Sequence, residues 1–324
     1  MFKKILEWKP IIKVTHRLKK MVLPGFDGIP LYDVGVFFVR GVVNGSLSSR
    51  ASSIAFSFFL AIFPMTITFF TLIPFIPIKD FHIVLLDLIQ QITPTTANDI
   101  ISETLTDIIN RPRGGLLSFT FILTLVFATN GIDNLIQAFN ITYHTIETRT
   151  LVKQRLIAIL LFFIISIIII ISIALITLGT FIINYLVEHH FLKSEFTYFL
   201  LQSIKWIILI ANLFFTISFI YYLAPAKASK FRFISAGSTL ATILSIITML
   251  GFNFYVQNFS SYNALYGSIG TLLIILLWIY INSFILLIGF ELNASIQGAK
   301  KDKVLHEFPG YGYLPPQDEK KNKL

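Results

Sequence analysis

The sequence predicts an all-α integral membrane protein, a bundle of about six transmembrane helices with both ends of the chain on the cytoplasmic side. Three observations carry that expectation: six long apolar runs, no strict apolar/polar alternation of the kind barrel strands need, and Lys and Arg gathered in alternate connections between the runs. With 55% hydrophobic and 13% charged residues and a mean hydropathy of +0.76, the chain exceeds the usage of ordinary globular domains. Lipid is therefore the solvent for most of it. In hydrocarbon an unpaired backbone amide costs several kcal/mol, so a run of about twenty apolar residues closes its hydrogen bonds only as a helix.

Residues 1–53 form a basic region ahead of the first span. Phe2, Ile5, Leu6, Trp8, Ile11 and Ile12 are interleaved with lysines, a composition suited to an amphipathic helix in the headgroup plane or to a tethered basic tail. This stretch lacks the apolar core and small-residue cleavage site of a secretory signal and is expected to stay in the mature protein. After the break at Pro24, Gly25, Gly28 and Pro30, residues 32–44 place Val34, Phe37, Phe38 and Val42 at helical spacing, which predicts a second interfacial helix.

The transmembrane domain is expected over 54–297. Its spans are read at 54–78, 116–139, 156–183, 199–224, 231–256 and 265–294. Pro64, Pro74 and Pro77 predict a kinked first span, since proline removes an i to i−4 bond. The loop at 79–115 is the one sizeable outward region, and helical periodicity on either side of Thr93-Pro94-Thr95 predicts a small helical cap. Residues 298–324 complete the chain as a basic cytoplasmic tail.

Orientation follows from charge, because positively charged connections stay inside during insertion. Nine Lys/Arg lie in 1–53, three in the next inner loop (Arg149, Lys153, Arg155), three more at Lys227, Lys230 and Arg232, and six in the tail, together 21 of 26. The opposite loops carry Lys79, Arg111, Arg113 and Lys193 against seven carboxylates. The net charge of +9 thus sits where insertion and anionic headgroups already require it, so membrane lipids are the expected partners and nucleic acid is not.

Polar residues are expensive in lipid and face the protein interior, so their helical phase is informative. In the second span Asn130, Asp133, Asn134, Gln137 and Asn140 fall within about 120° of one another at about 100° per residue. The fourth span aligns Gln202, Lys205, Asn212 and Thr216. The fifth aligns Ser235, Ser238, Thr242, Ser245 and Asn253, and the sixth puts Asn282 and Asn293 on one face and Glu291 on the other. Such lines converge on a hydrated groove or act as glue between helices. Glue is the better reading for the fifth span, a groove for the second. The groove candidates are Asn130, Asp133, Asn134, Gln137, Asn140, Tyr266 and Glu291. Close helix packing is expected at Ser57 with Ala61 and at Gly237 with Ala241.

No catalytic or metal-binding residues are assigned. The six histidines lie in flanks and loops without a zinc-binding spacing, and neither a nucleophile elbow nor a phosphate-binding loop occurs. The chain has no cysteine. No cofactor is implied, and any transport would run without an ATPase in this chain.

Several segments carry a resemblance. Tyr262-Asn263-Ala264-Leu265-Tyr266-Gly267-Ser268-Ile269-Gly270, followed by Leu277-Trp278-Ile279-Tyr280 and Gly289-Phe290-Glu291-Leu292-Asn293-Ala294, resembles the closing signature of the YihY/BrkB family. Arg50-Ala51-Ser52-Ser53 running to Phe63-Pro64, Ala138-Phe139-Asn140-Ile141-Thr142-Tyr143 with Glu147 and Arg149, and Tyr222-Leu223-Ala224-Pro225 fit as well. The resemblance implies a six-helix inner-membrane protein named after a serum-resistance virulence factor and sometimes proposed to move lipids or other envelope components. Members have also carried a ribonuclease label, but the clustered His and carboxylates of an RNA-cleaving metal site are missing here. Phe58 and Phe59 stand where members often have tyrosines, so no role of those hydroxyls carries over. The leading expectation is a permease or lipid-handling protein with a lipid or amphipathic substrate; the alternative is a non-catalytic scaffold recruiting envelope partners.

Overall fold

The computed structural model describes residues 9–75, 113–142, 149–188, 195–226, 233–258 and 268–307. Among them all regular structure is helical: α1 (Lys9–Lys20), α2 (Leu31–Asn44), α3 (Leu47–Leu72, ending in a 3-10 turn at Ile73–Phe75), α4 (Gly114–Thr142), α5 (Leu151–Glu188), α6 (Glu195–Leu223), α7 (Ala236–Asn258) and α8 (Ser268–Glu307). Six of these, α3 to α8, are long and apolar enough to cross a membrane. The expected cap at 79–115 falls almost wholly outside the described residues, as do Pro77, the Lys227–Arg232 charges and Tyr266.

The helices are longer than their apolar cores. The first span was expected from residue 54, yet α3 starts at Leu47: Leu47, Arg50 and Ala51 are buried in its first turns, with Ser48 and Ser49 exposed between them. Pro64 is buried inside α3 without ending it, whereas Pro74 falls in the terminal 3-10 turn.

Helix α8 is the central element, packed against α2, α3, α4 and α7, while α3 and α4 form the most extensive pair. Helix α5 touches α4 and α6 and has the highest mean hydropathy of the spans, 3.0, with Ile167, Ile169, Ile170 and Ile171 exposed. Exposed apolar side chains are costly in water but not in lipid, which is the solvent such a surface requires.

The core gathers toward one end of the bundle. There Phe139 stacks on Phe290 with centroids 3.9 Å apart, and Tyr221 meets each ring edge-on at 5.6 Å, tying α4, α6 and α8 together. The Tyr221 hydroxyl donates to the Leu286 carbonyl at 2.7 Å. Helices α7 and α8 cross backbone to backbone: a Cβ on Gly289 would lie 2.6 Å from the Gly237 carbonyl oxygen and 2.7 Å from the Ala241 Cβ. The expected small surface at Gly237 and Ala241 is this crossing. A smaller core forms where the 21–30 connection, turning through Gly25, Asp27 and Gly28 at positive φ, lays Phe26 and Ile29 with Val34 of α2 against Ile296 and Ala299 of α8.

Candidate functional site

The starts of α3, α5 and α7 meet the ends of α4, α6 and α8 at this same end. Arg50 Nη1, from the first turn of α3, donates to the Ala138 carbonyl and to Thr142 Oγ1 on α4, both at 2.7 Å. Arg149 Nη2 donates to the Ala224 carbonyl at 2.9 Å, and Asn140 Oδ1 accepts from the Ala226 amide at 2.9 Å. Asn293 on α8 accepts from the Gly237 amide at 2.8 Å and donates to Ser235 Oγ at 2.9 Å. Four of these six bonds satisfy a backbone group at a helix end or beside one, which is where helices leave donors and acceptors over.

Between α2, α3 and α8 lies a cavity of about 790 Å³. Its wall includes Phe37, Arg40, Arg50, Ile141, Glu291 and Lys301, so three cations face one carboxylate beside apolar surface. Gly41 of α2 and Gly45, just after it, bring the backbone close to the buried charges. A Cβ on Gly41 would collide with the Glu291 carboxylate, and one on Gly45 would meet Arg50 Nη2 at 2.9 Å. Arg50 is 9% exposed and Glu291 6%. The two interact through charge, yet Arg50 Nε and Nη2 are buried with no hydrogen-bond partner among the described residues. Arg40, at the rim, holds its guanidinium 6.0 Å from the Phe37 ring centroid, within cation–π range.

Of the groove candidates, the structure brings Glu291 to this cavity, facing α2 and opposite Asn293, as the helical phase of α8 predicts. Those of α4 point to different neighbours. Asn134 Nδ2 donates to Ser57 Oγ on α3 at 2.6 Å. Asp133 accepts from Gln137 of its own helix at 3.0 Å and from Gln154 of α5. Asn140 is buried against the chain after α6, Asn130 is half-buried, and Gln137 is exposed. In the other spans, Asn212 of α6 bonds the Ile168 carbonyl and Ser172 of α5, and Ser238 and Thr242 of α7 bond carbonyls of residues earlier in the chain. Phe58 packs its ring on Gly131 of α4, where a Cβ would lie 2.8 Å away.

Arg50 was legible in the sequence as one basic residue ahead of a span and as the first residue of a segment that carries the family resemblance, but not as a site residue. An arginine inside the first turn of an apolar helix, five residues after a glycine and nine after another, was the available signal. Among the described residues no group of three or more His, Asp or Glu side chains stands together as a metal site would require.

Six long apolar helices, with α8 packed against α3, α4 and α7 and with α5 against α4 and α6, define a multi-pass membrane protein. The family described as virulence factor BrkB matches residues 38–308, and the chain belongs to that family. It is 30% identical over 78% of its length to 91% of YfkH of Bacillus subtilis, named a putative ribonuclease-like protein. It is 25% identical to a UPF0761 membrane protein of Haemophilus influenzae (83% of this chain, 96% of that one) and 24% identical to another of Alteromonas mediterranea (86% and 92%). No solved structure matches the chain.

Proposed function

We propose that this chain is a permease of the cell (inner) membrane that handles a lipid or another amphipathic envelope component, without an ATPase of its own and with both termini cytoplasmic. The observation that carries the reading is the cavity of about 790 Å³ where α2, α3 and α8 meet, whose wall joins Phe37 and Ile141 to Arg40, Arg50 and Lys301. A wall with both apolar and charged surface suits a molecule with a tail and a polar head, whereas a small hydrophilic solute would leave the aromatic and aliphatic part unused. Glu291 belongs to this cavity. On this reading Asn134, Asp133 and Asn140 hold α4 in place beside it. The gathering of Lys and Arg in the connections at this end supports its being cytoplasmic. No catalytic step is assigned, and the ribonuclease-like name of the Bacillus protein is not carried over.

The test is reconstitution of the full chain into liposomes with a panel of labelled lipids and water-soluble solutes, without nucleotide. Movement of lipid between leaflets, faster than in protein-free vesicles, with solutes retained, is the expected result. Solute flux without lipid movement, or neither, would rule the reading out.

A further inference from the structure

We propose that the cavity between α2, α3 and α8 is a binding site for the phosphate-bearing headgroup of an anionic lipid, with the Nε/Nη2 edge of Arg50 as its anchor. This deepens the lipid-handling reading and rests on it for the choice of a lipid over a soluble phosphate. The Arg50 guanidinium has two working edges. Nη1 is spent on the Ala138 carbonyl and Thr142, which fix the group in place. The remaining Nε–H and Nη2–H point the same way as a two-pronged fork, the geometry that matches two oxygens of a phosphate or carboxylate. Both donors are buried and have no hydrogen-bond partner among the described residues.

Leaving charged donors buried and unbonded is costly, and such groups in folded proteins are satisfied by a partner, a water or a ligand. Glu291 does not take these donors, although its charge acts on Arg50. Gly45, just after α2, where a Cβ would crowd Nη2, leaves no side chain against that edge. The remaining charges favour an anion: Arg40 and Lys301, both exposed, share the cavity wall, leaving three cations against Glu291. The start of α3 at Ser46 and the ends of α2 at Asn44 and α4 at Thr142 line the same space, so the helix dipoles oppose one another there and the preference for an anion rests on the three cations. A phosphodiester headgroup carries one negative charge and two equivalent oxygens for the fork, while Phe37 and Ile141 offer apolar contact to the glycerol and upper chains.

Binding, rather than transport, tests this. The full chain, purified in a zwitterionic detergent, is titrated with phosphatidylglycerol, with phosphatidylcholine, with diacylglycerol and with inorganic phosphate, and bound ligand is read by native mass spectrometry. Phosphatidylglycerol should bind at least tenfold more tightly than diacylglycerol or inorganic phosphate, and more tightly than phosphatidylcholine. Arg50→Gln should weaken it at least tenfold, and Arg50→Lys, which keeps charge but loses the fork, by an intermediate factor. Glu291→Gln should strengthen it, a change of opposite sign that loss of packing would not produce. If Arg50→Gln fails to fold, Arg40→Gln and Lys301→Gln at the exposed rim decide, each expected to weaken binding severalfold.

Equal affinity for diacylglycerol, or unaltered binding in folded Arg50→Gln or in the two rim variants, would overturn the site. Inorganic phosphate binding as tightly as the lipid and displacing it would overturn the lipid assignment in favour of a soluble phosphate. Because the readout is equilibrium binding, headgroup-selective binding without lipid movement in liposomes would leave this site standing and remove only the permease.

Discussion

Asp133 accepts from Gln137 on its own helix and from Gln154 on α5, so its two carboxylate oxygens are engaged in holding α4 to α5. Asp133→Asn keeps the shape but turns one acceptor into a donor facing a glutamine amide. The expected loss is about 1 kcal/mol, in the range of interhelical hydrogen bonds within membranes, seen as a lower melting temperature with lipid movement retained. An unchanged melting temperature with movement abolished would instead return Asp133 to the path of the substrate. The helical phase of α4 groups its polar residues as one stripe, but phase gives direction only to within a third of a turn. That tolerance covers two neighbours, and the Asn134 bond to α3 and the Asp133 bond to α5 divide the stripe between them. Arg50 was less legible still. Its partner carbonyl at Ala138 lies far along the chain, and nothing local distinguishes a guanidinium folded inward from one that marks the inner face of a span.

At the scale of the element, the α7–α8 crossing depends on having no side chain at two positions. Gly289→Ala would place a methyl against the Gly237 carbonyl and the Ala241 Cβ, backbone and a rigid side chain that cannot swing aside. Overpacking of this kind costs about 1–3 kcal/mol, so the variant should melt markedly lower. Gly251→Ala, on the same α7 but with nothing within 4 Å of the new methyl, should melt no lower, because alanine is the better helix former by about 1 kcal/mol. Equal melting of the two variants would contradict this packing. The existence of each spanning helix was written in its apolar run, since length and hydropathy alone decide that a segment enters lipid. The ends were not. Arg50 precedes the apolar run, and its bonds to the Ala138 carbonyl and Thr142 of α4 hold it buried in the first turn of α3, while Ser48 and Ser49 beside it are exposed.

For the whole molecule, alternation fixes which helix ends share a side, and charge then decides which side is which. The starts of α3, α5 and α7 are bonded to the ends of α4 and α6 and to the C-terminal half of α8, so Thr142, Arg149, Ala226 and Ser235, which flank the 143–148 and 227–232 connections, lie at one end of the bundle. The second of these carries Lys227, Lys230 and Arg232, and the first leads into Arg149 and Lys153, whereas the connection after α3 is rich in carboxylates. Moving cationic loops across the membrane during insertion is disfavoured, which is the ground for proposing that the Arg50 end faces the cytoplasm. The chain has no cysteine, so single introduced thiols report without background. Ser102→Cys and Ser260→Cys should react in intact cells with a membrane-impermeant maleimide, and Ser229→Cys should react only after the cells are opened. The bundle fixes the relation between the sites, so an inverted molecule would reverse all three together. Labelling of Ser229→Cys in intact cells along with the other two would mean an even number of crossings between Ser102 and Ser229, instead of the three that α4, α5 and α6 supply, and would break the six-span arrangement itself. Reversal of all three would keep the bundle and move the Arg50 cavity to the outer leaflet, where the lipid it meets is different.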